Sequence, residues 1–449
     1  MSASDQEPES PARHAHVIAE EYAVARAYQS VTTPAERSRA FFILFVSLLC
    51  MGAGQSVINP ILQAVAPRLG LGPTQVTSIF ACSALIWIFS STFWGLRSDV
   101  WGRKPVMLLG LIAFALSFAA FASILSMGLR HALAASLIFP LLIASRCVYG
   151  TFGSGTSAAA QAYVADRTTP RERLSGVAVI SMAFALGTIV GPVAGVALIG
   201  VSPVAPFYFV SAVALASAAA IWFLLPERTP PKSRLPQAST LHWYEPRMFP
   251  FVCFGVVLSF IGSIPQQILG FFLHDTLHRS PAEIEKYTII GFVISAMAAL
   301  FAQFVVVRRF RRSSRLLVIA GILILTASNL LFVFAHDFTM VVAALICSGL
   351  GLGMARPGFT AGASLSVTPH EQGAVAGLLG TAGAAGYIFG PVIGWLYEIA
   401  PPVPYICGAV VMLMLLAAQY LSPVLYRAGD IPPEAEVVDE HADTPVSEA

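Results

Sequence analysis

Long apolar runs separated by short polar segments dominate the pattern of this chain. Twelve of these runs have about the 20 residues that an α-helix needs to cross the hydrocarbon core of a bilayer. Lipid offers the backbone no hydrogen-bond partner, so each run is predicted to be a helix, and the alternating pattern of a membrane barrel is absent. The predicted spans are 41–65, 75–95, 105–127, 136–163, 174–199, 206–226, 249–272, 286–307, 316–335, 339–366, 373–399 and 402–424. The pattern therefore predicts an all-α polytopic membrane protein with twelve transmembrane helices.

The composition supports this interpretation. Hydrophobic residues make up 56% of the 449 residues and charged residues make up 11%, well below the roughly 25% charged residues of a typical soluble domain. The net charge of +2 gives no indication of a nucleic-acid partner, and no basic patch with interleaved aromatic residues occurs. The sequence also shows no nucleophile–base pair, metal-ligand cluster or phosphate-binding loop. We therefore expect neither an enzyme nor a bound metal or cofactor.

The distribution of Lys and Arg predicts the orientation in the membrane. If both termini are cytoplasmic, the cytoplasmic segments hold 20 of these residues and the outer loops hold four. Cytoplasmic loops of membrane proteins are enriched in Lys and Arg, so both termini are predicted to be cytoplasmic. The remaining two of the 26 Lys and Arg residues, Arg146 and Arg356, lie inside predicted spans.

The chain repeats itself on either side of a segment rich in proline and charge, 227–248. GTIVGPVAG at Gly187–Gly195 recurs as GYIFGPVIG at Gly386–Gly394, and TPRE at Thr169–Glu172 recurs as TPHE at Thr368–Glu371, both at an offset of 199 residues. Duplicated halves around a midplane site are typical of alternating-access transporters. We therefore predict an N-terminal tail 1–39, a six-helix half 40–226, a linker 227–248, a second six-helix half 249–426 and a C-terminal tail 427–449.

The turn between predicted spans two and three carries a spaced motif. WGLRSDVWGRKP at Trp94–Pro105 has the form G-x-x-x-D-x-x-G-R-K, with Gly95, Asp99, Gly102, Arg103 and Lys104 at the defined positions. Gly95 is predicted to let two helices approach closely, and Gly102 to permit a tight turn. An ordinary turn on the cytoplasmic side would explain the Arg and the Lys, but not the spaced glycines and the aspartate.

With this motif, residues 40–426 resemble the major facilitator superfamily, and in particular its 12-span drug–proton antiporters. The resemblance implies two pseudo-symmetric six-helix halves and a secondary transporter in a plasma membrane, such as the inner membrane of a bacterium. It also implies that the five motif residues form a latch that holds the halves in the outward-facing state, with Asp99 against the start of span eleven near Gln372–Gly373. We expect the protein to act as a monomer in the lipid bilayer.

A second motif, RCVYG at Arg146–Gly150, resembles the R-x-x-x-G motif of the same family. In proton-coupled relatives this arginine is assigned a role in proton transfer or binding, which the resemblance implies for Arg146. A guanidinium inside a span is costly unless it faces a wet cavity or a partner. A structural arginine that is hydrogen-bonded to its neighbours is the alternative.

A third motif lies in span five, where GTIVGPVAG resembles the antiporter signature G-x-x-x-G-P-x-x-G. The residues that carry it are Gly187, Gly191, Pro192 and Gly195. The glycines are predicted to form a flat surface for helix packing, and the resemblance implies drug efflux rather than nutrient import. Val196 stands where a second glycine usually ends the motif.

The charge inside the predicted spans is positive. No Asp or Glu lies well inside any span, so proton coupling would depend on peripheral groups such as Asp99 or His274–Asp275. With Arg146 and Arg356 inside, the cavity is expected to favour an anionic, phenolic or zwitterionic substrate. Bonding of Arg356 to carbonyls freed by Pro357 is the alternative. Amides that flank prolines in spans one and seven are predicted to line the cavity: Gln55, Asn59, Gln266 and Gln267.

The sequence thus leads to one main hypothesis and two alternatives. The main one is a transporter that exports small amphipathic compounds, with the proton as coupling ion. A symporter or facilitator of an organic anion is the second. A membrane sensor that binds its ligand without transporting it is the third.

Overall fold

The computed structural model describes residues 33–168, 170–226, 244–306, 314–367 and 372–427. Within these ranges every regular element is a helix, and no strand occurs. The α-helices are α1 (Pro34–Val65), α2 (Pro73–Trp101), α3 (Arg103–Leu129), α4 (Ala135–Val148), α5 (Ser154–Asp166), α6 (Pro170–Ile199), α7 (Ala205–Leu224), α8 (Phe249–Asp275), α9 (Pro281–Phe301), α10 (Ser314–Val333), α11 (Phe338–Leu365), α12 (Gln372–Ile388), α13 (Gly390–Ile399), α14 (Val403–Leu421) and α15 (Pro423–Arg427). A 3₁₀ turn, Ala66–Leu69, follows α1, and π-helical segments occupy Tyr149–Gly153 and Ala302–Val306.

Ten helices in the described residues are long and apolar enough to cross a membrane. They confirm an all-α, multi-pass protein, and they coincide with every predicted span except 174–199 and 373–399. Those two stretches are helical as α6 and as α12 with α13, and their assignment as spans stays a prediction. The predicted tails 1–39 and 427–449 and the linker 227–248 lie largely outside the described residues.

Local sequence sets the starts of the helices. Thr33 precedes α1 and accepts a hydrogen bond from the backbone N–H of Glu36, while the Glu36 carboxylate accepts from the Thr33 backbone N–H at 2.9 Å. This capping box satisfies backbone N–H groups that a helix start leaves without partners. Asp337 does the same for α11, where its carboxylate accepts from the Met340 backbone N–H at 2.8 Å.

The described residues form two compact units. One holds α1 to α7 together with 281–289, and the other holds α8 with residues 290–427. In the first unit α1 packs against α6 and α7, and α3 packs against α5 and α7. In the second unit α8 packs against α12 and α14, and α10 packs against α11 and α14. In both units the first span packs against the fifth and the sixth, and the third span packs against the fourth and the sixth. The repeat in the sequence is therefore also a repeat of helix packing.

The two copies of the glycine–proline motif differ in the backbone. Helix α6 runs through Pro192 without interruption. In the second copy the helix ends at Ile388, and α13 starts at Gly390 with Pro391 in its first turn. Proline lacks a backbone N–H and fits the first turn of a helix better than its interior. The break in the second copy places Pro391 in such a first turn, but the continuous helix around Pro192 shows that the proline alone does not cause a break.

Candidate functional site

The spaced motif lies where α2 meets α3. Helix α2 ends at Trp101, α3 begins at Arg103, and Gly102 between them has a φ of 95°, a backbone region that favours glycine. The close helix approach predicted at Gly95 is not found among the described residues, because a methyl group added there would have no atom within 4 Å. The side chain of Asp99 lies outside the described part of the structure, so its role in a latch stays a prediction.

The two basic residues of the motif bind groups of the first unit. Nε of Arg103 donates to Oδ2 of Asp166 at 3.1 Å, and Nη1 donates to the Ser98 hydroxyl at 2.5 Å. Nζ of Lys104 donates to the backbone carbonyl of Leu225 at 3.0 Å, just past the end of α7. A cation is favourable at the C-terminal end of a helix, where carbonyls lack partners. The motif therefore ties together the neighbouring ends of α2, α3, α5 and α7.

Arg146 lies in α4 and is only 2% exposed. Its Nη2 donates to Oε1 of Gln55 in α1 at 2.8 Å. The guanidinium carbon lies 4.6 Å from the ring centroid of Tyr149 and 5.9 Å from those of Phe80 and Phe118. A cation over aromatic faces is attracted by their negative quadrupole. The structure thus joins two residues that the sequence predicts for the site and surrounds them with three aromatic rings.

The span that holds Arg146 changes its winding directly after it. The segment Tyr149–Gly153 is π-helical, and such single-turn segments are frequent at functional sites. The indole Nε1 of Trp94 in α2 donates to the backbone carbonyl of Thr151 at 2.6 Å. A residue next to the spaced motif thereby stabilises the irregular turn beside the buried arginine.

The glycines of the span-five motif lie against α1. A methyl group added at Gly187 would collide with the backbone carbonyl oxygen of Leu49, and one added at Gly191 with that of Ala53. Small residues allow this direct backbone contact between helices in membranes. The contact covers the part of α1 that carries Gln55, so the motif fixes the helix that binds Arg146.

A second cluster of polar side chains lies in the other unit. The hydroxyl of Tyr387 in α12 donates to Oε1 of Gln266 in α8. Arg356 in α11 is exposed and lies near Tyr387. Among the residues that the structure describes, no hydrogen bond holds the guanidinium, and none goes to a carbonyl freed by Pro357. An accessible cation with a tyrosine and an amide nearby can bind an anionic or phenolic group.

The remaining predicted amides are buried. Gln267 is 1% exposed, and its Nε2 donates to the Ser263 hydroxyl at 2.9 Å. It therefore does not line an accessible surface of its unit, since residues 266 and 267 point to different sides of α8. Asn59 is 8% exposed, and its side-chain oxygen has no partner among the described residues.

Tyr387 and Tyr149 are residues that the sequence analysis missed. Tyr387 occupies the repeat position of Thr188, so a large polar ring replaces a small hydroxyl in the second copy of the glycine motif. That difference between copies was the available signal. Tyr149 had no comparable signal, because an aromatic residue one turn after a buried arginine is ordinary in an apolar helix.

Comparison with known proteins agrees with this architecture. Among curated proteins, Multidrug resistance protein 2 of Bacillus subtilis is 26% identical over 398 residues, which cover 84% of this chain and 94% of that protein. The Bicyclomycin resistance protein homolog of Haemophilus influenzae is 25% identical, with 86% of this chain and 97% of that protein covered. A solved bacterial homolog of the human lysosomal transporter Spinster has a TM-score of 0.68 at 16% identity, covering 90% of this chain and 100% of that one.

The fold and these comparisons define a multi-pass membrane transporter. The sequence model of the Major Facilitator Superfamily matches residues 44–391 and 258–446. The chain therefore belongs to the Major Facilitator Superfamily, whose members carry small-molecule substrates, and its relatives include proteins named for drug resistance.

Proposed function

We propose that this protein exports small amphipathic compounds by alternating access and exchanges them for protons. The observation that carries the proposal is the contact of Gly187 and Gly191 with the backbone of α1. It places the antiporter signature against α1, the helix that carries Gln55, and Gln55 accepts a hydrogen bond from Arg146 of α4. The names of the drug-resistance relatives, matched over most of their length, support export as the direction.

The substrate site of this proposal is Arg356 with Gln266 and Tyr387. The exposed guanidinium would bind an anionic or zwitterionic group of the substrate, and the tyrosine–glutamine pair would bind a polar group beside it. Arg146 would act in coupling or in binding. We further propose a monomer in a bacterial inner membrane with both termini in the cytoplasm, as the distribution of Lys and Arg favours.

Proton coupling would use a peripheral carboxylate. In the described residues Asp275 ends α8, with Oδ1 at 2.6 Å from Nδ1 of His274, and Oδ2 accepts a hydrogen bond from the Tyr397 hydroxyl at 3.0 Å. These three groups offer a place where a proton can bind and leave. The predicted alternative, Asp99, would act at the other end of the protein.

Transport of an organic anion by symport or facilitation is the second candidate. It is favoured by the two arginines, Arg146 and Arg356, neither of which forms an ion pair among the described residues. A sensor without transport is the third candidate, and it predicts binding without flux.

An imposed proton gradient separates these functions. The purified protein is reconstituted in liposomes with an acidic lumen, and the lumenal pH is followed with a trapped fluorescent dye. Matched anionic, neutral and cationic aromatic compounds are then added. Antiport predicts that a substrate discharges the gradient, and that neither empty liposomes nor a Gly191→Leu variant, which blocks the α1–α6 contact, does so.

The other outcomes distinguish the alternatives. Uptake of a radiolabelled anion with no change in lumenal pH would indicate a facilitator. Binding of a compound with no flux above that of empty liposomes would indicate a sensor. Either result would exclude antiport for the compounds in the panel.

A further inference from the structure

The contact between Arg146 and Gln55 leaves several buried donors without acceptors. Nε and Nη1 of Arg146 and Nε2 of Gln55 are all inaccessible to solvent and have no hydrogen-bond partner among the described residues. An arginine side chain has only donors, so it fixes the Gln55 amide with its oxygen towards the guanidinium. The unpartnered Nε2 is therefore a real donor and not an amide placed the wrong way round.

The site is positively charged as well as rich in donors. No Asp or Glu pairs with Arg146 in the described part of the chain. The rings of Tyr149, Phe80 and Phe118 attract the cation but accept no strong hydrogen bond. Buried polar groups normally have partners, and an exception requires an explanation such as a ligand. A group that accepts hydrogen bonds would satisfy these donors, and one that also carries negative charge would balance the charge of the guanidinium.

We propose that Arg146 and Gln55 form a binding site for a monovalent anion, and that a carboxylate on an aromatic compound is the ligand that fits it. After its bond to Gln55, Nη2 of Arg146 keeps a second N–H. The guanidinium can therefore give a carboxylate two parallel hydrogen bonds. The Gln55 amide supplies a third donor.

The surroundings of the site suit an aromatic carboxylate. Tyr149 lies against the guanidinium, and the centroid of Trp87 is 5.1 Å from that of Tyr149. Trp87 and Gln55 are both partly exposed, so the site lies one side chain beneath an accessible surface of the first unit. A ring that stacks in this aromatic group would place its carboxylate near the free N–H groups.

Two sources can supply the anion, the transported compound itself or an inorganic anion such as chloride. For a transported carboxylate the assignment rests on the proposed function. The site itself is tested by binding alone, without any transport.

The experiment uses the full-length protein in neutral-lipid nanodiscs and a chloride-free sulfate buffer. Benzoate, its neutral counterpart benzamide and chloride are titrated, and the midpoint of thermal unfolding is recorded. Benzoate is expected to raise the midpoint and benzamide is not. Arg146→Gln should weaken the response to benzoate by about tenfold or more, while Arg68→Gln, at an exposed arginine outside the site, should leave it unchanged.

Gln55→Glu is the decisive variant, because it supplies a carboxylate from the protein itself. It should fold at least as well as the unchanged protein and should no longer respond to benzoate. This variant also tests the site if Arg146→Gln fails to fold. A response to benzoate that persists with unchanged affinity in folded Gln55→Glu overturns the proposal, and so does the absence of any response to benzoate or chloride in the unchanged protein.

The responses to benzoate and chloride distinguish a carboxylate of the transported compound from an inorganic anion. Chloride that raises the midpoint and competes with benzoate supports an inorganic anion at the site, and a response to benzoate alone supports a carboxylate of the cargo. Benzoate binding that depends on Arg146, in a protein that transports none of the compounds tested, would overturn the proposed function and leave this site in place.

Discussion

Nε of Arg103 donates to Oδ2 of Asp166 at 3.1 Å, which joins the first residue of α3 to the last residue of α5. The side chains are only 11% and 21% exposed, so solvent screens this pair less than a pair at the surface. The spaced motif therefore acts first within one unit, as a connection between helix ends, whatever its Asp99 contributes elsewhere.

We expect Arg103→Gln and Asp166→Asn each to destabilise the protein, by about 1 kcal/mol, because each change leaves the other charge partly buried without its partner. The double variant should be no less stable than the worse single variant. Thermal unfolding in detergent measures both effects. Arg247→Gln removes the exposed pair with Glu245, at 2.8 Å, and is the control, with little expected change. Additive losses in the double variant would show that the two side chains do not act as a pair.

The glycines of α6 predict a graded series of steric effects. Gly187→Ala and Gly191→Ala should abolish most transport, because the added methyl groups would collide with the backbone of α1. Gly195→Ala should have a mild effect, since the nearest atom, in Val57, is 3.3 Å away. Gly200→Ala, directly after the end of α6, should be neutral, because nothing lies within 4 Å of the added methyl group. Efflux by cells that express equal amounts of each variant is the measurement. Equal activity across the four positions would contradict the α1–α6 contact.

Trp94→Phe should damage the π-helical turn beside Arg146. Phenylalanine keeps most of the buried ring but removes the N–H that binds the Thr151 carbonyl at 2.6 Å. The loss of one buried hydrogen bond is expected to cost about 1–2 kcal/mol, observed as a lower midpoint of thermal unfolding. Trp101→Phe, at a half-exposed tryptophan, is the matched control. Identical midpoints for the two variants would show that the indole N–H is not needed.

Much of the fold could be predicted from the sequence, because the bilayer limits a span to one kind of structure. Hydropathy and length place the helices, and the positive φ of Gly102 agrees with the turn predicted there. The winding of single turns could not be predicted in this way. The segment Tyr149–Gly153 is π-helical and the helix breaks at Phe389, whereas the matching motif around Pro192 stays in one continuous helix, so the motif alone does not decide the winding.

The candidate site could be predicted only in part. The sequence selects Arg146 and Gln55 by their polarity within apolar runs, but they are 91 residues apart, and their contact depends on how α1 and α4 pack. The prediction treated Gln266 and Gln267 alike. Only Gln266 is exposed, because which side of α8 faces the core is decided by its contacts with α12 and α14 and not by the sequence next to a proline.

Tyr387→Phe should weaken substrate binding without changing the packing of α12. The change removes the hydroxyl that donates to Gln266 and keeps the ring. Loss of one hydrogen bond at the site corresponds to about a threefold to tenfold rise in the dissociation constant. Gln266→Leu should have a similar effect, and the double variant should add little. Tyr208→Phe, at a half-exposed tyrosine of the first unit, is the control. Additive effects would show that the two residues bind substrate independently.

Arg356→Gln tests the sign of the charge that the substrate site prefers. The guanidinium is exposed and unbonded among the described residues, so its removal should leave folding intact. A charge-assisted hydrogen bond contributes about 1.5–3 kcal/mol, equivalent to roughly a tenfold to hundredfold loss of affinity for an anionic compound. The affinity for a neutral compound of the same shape should change little, and Arg356→Lys should restore part of the loss for the anion. Equilibrium binding to the purified variants measures these differences, with Arg130→Gln, at an exposed arginine of the first unit, as control. If folded Arg356→Gln binds its best anionic compound with unchanged affinity, Arg356 is not the group that selects an anion.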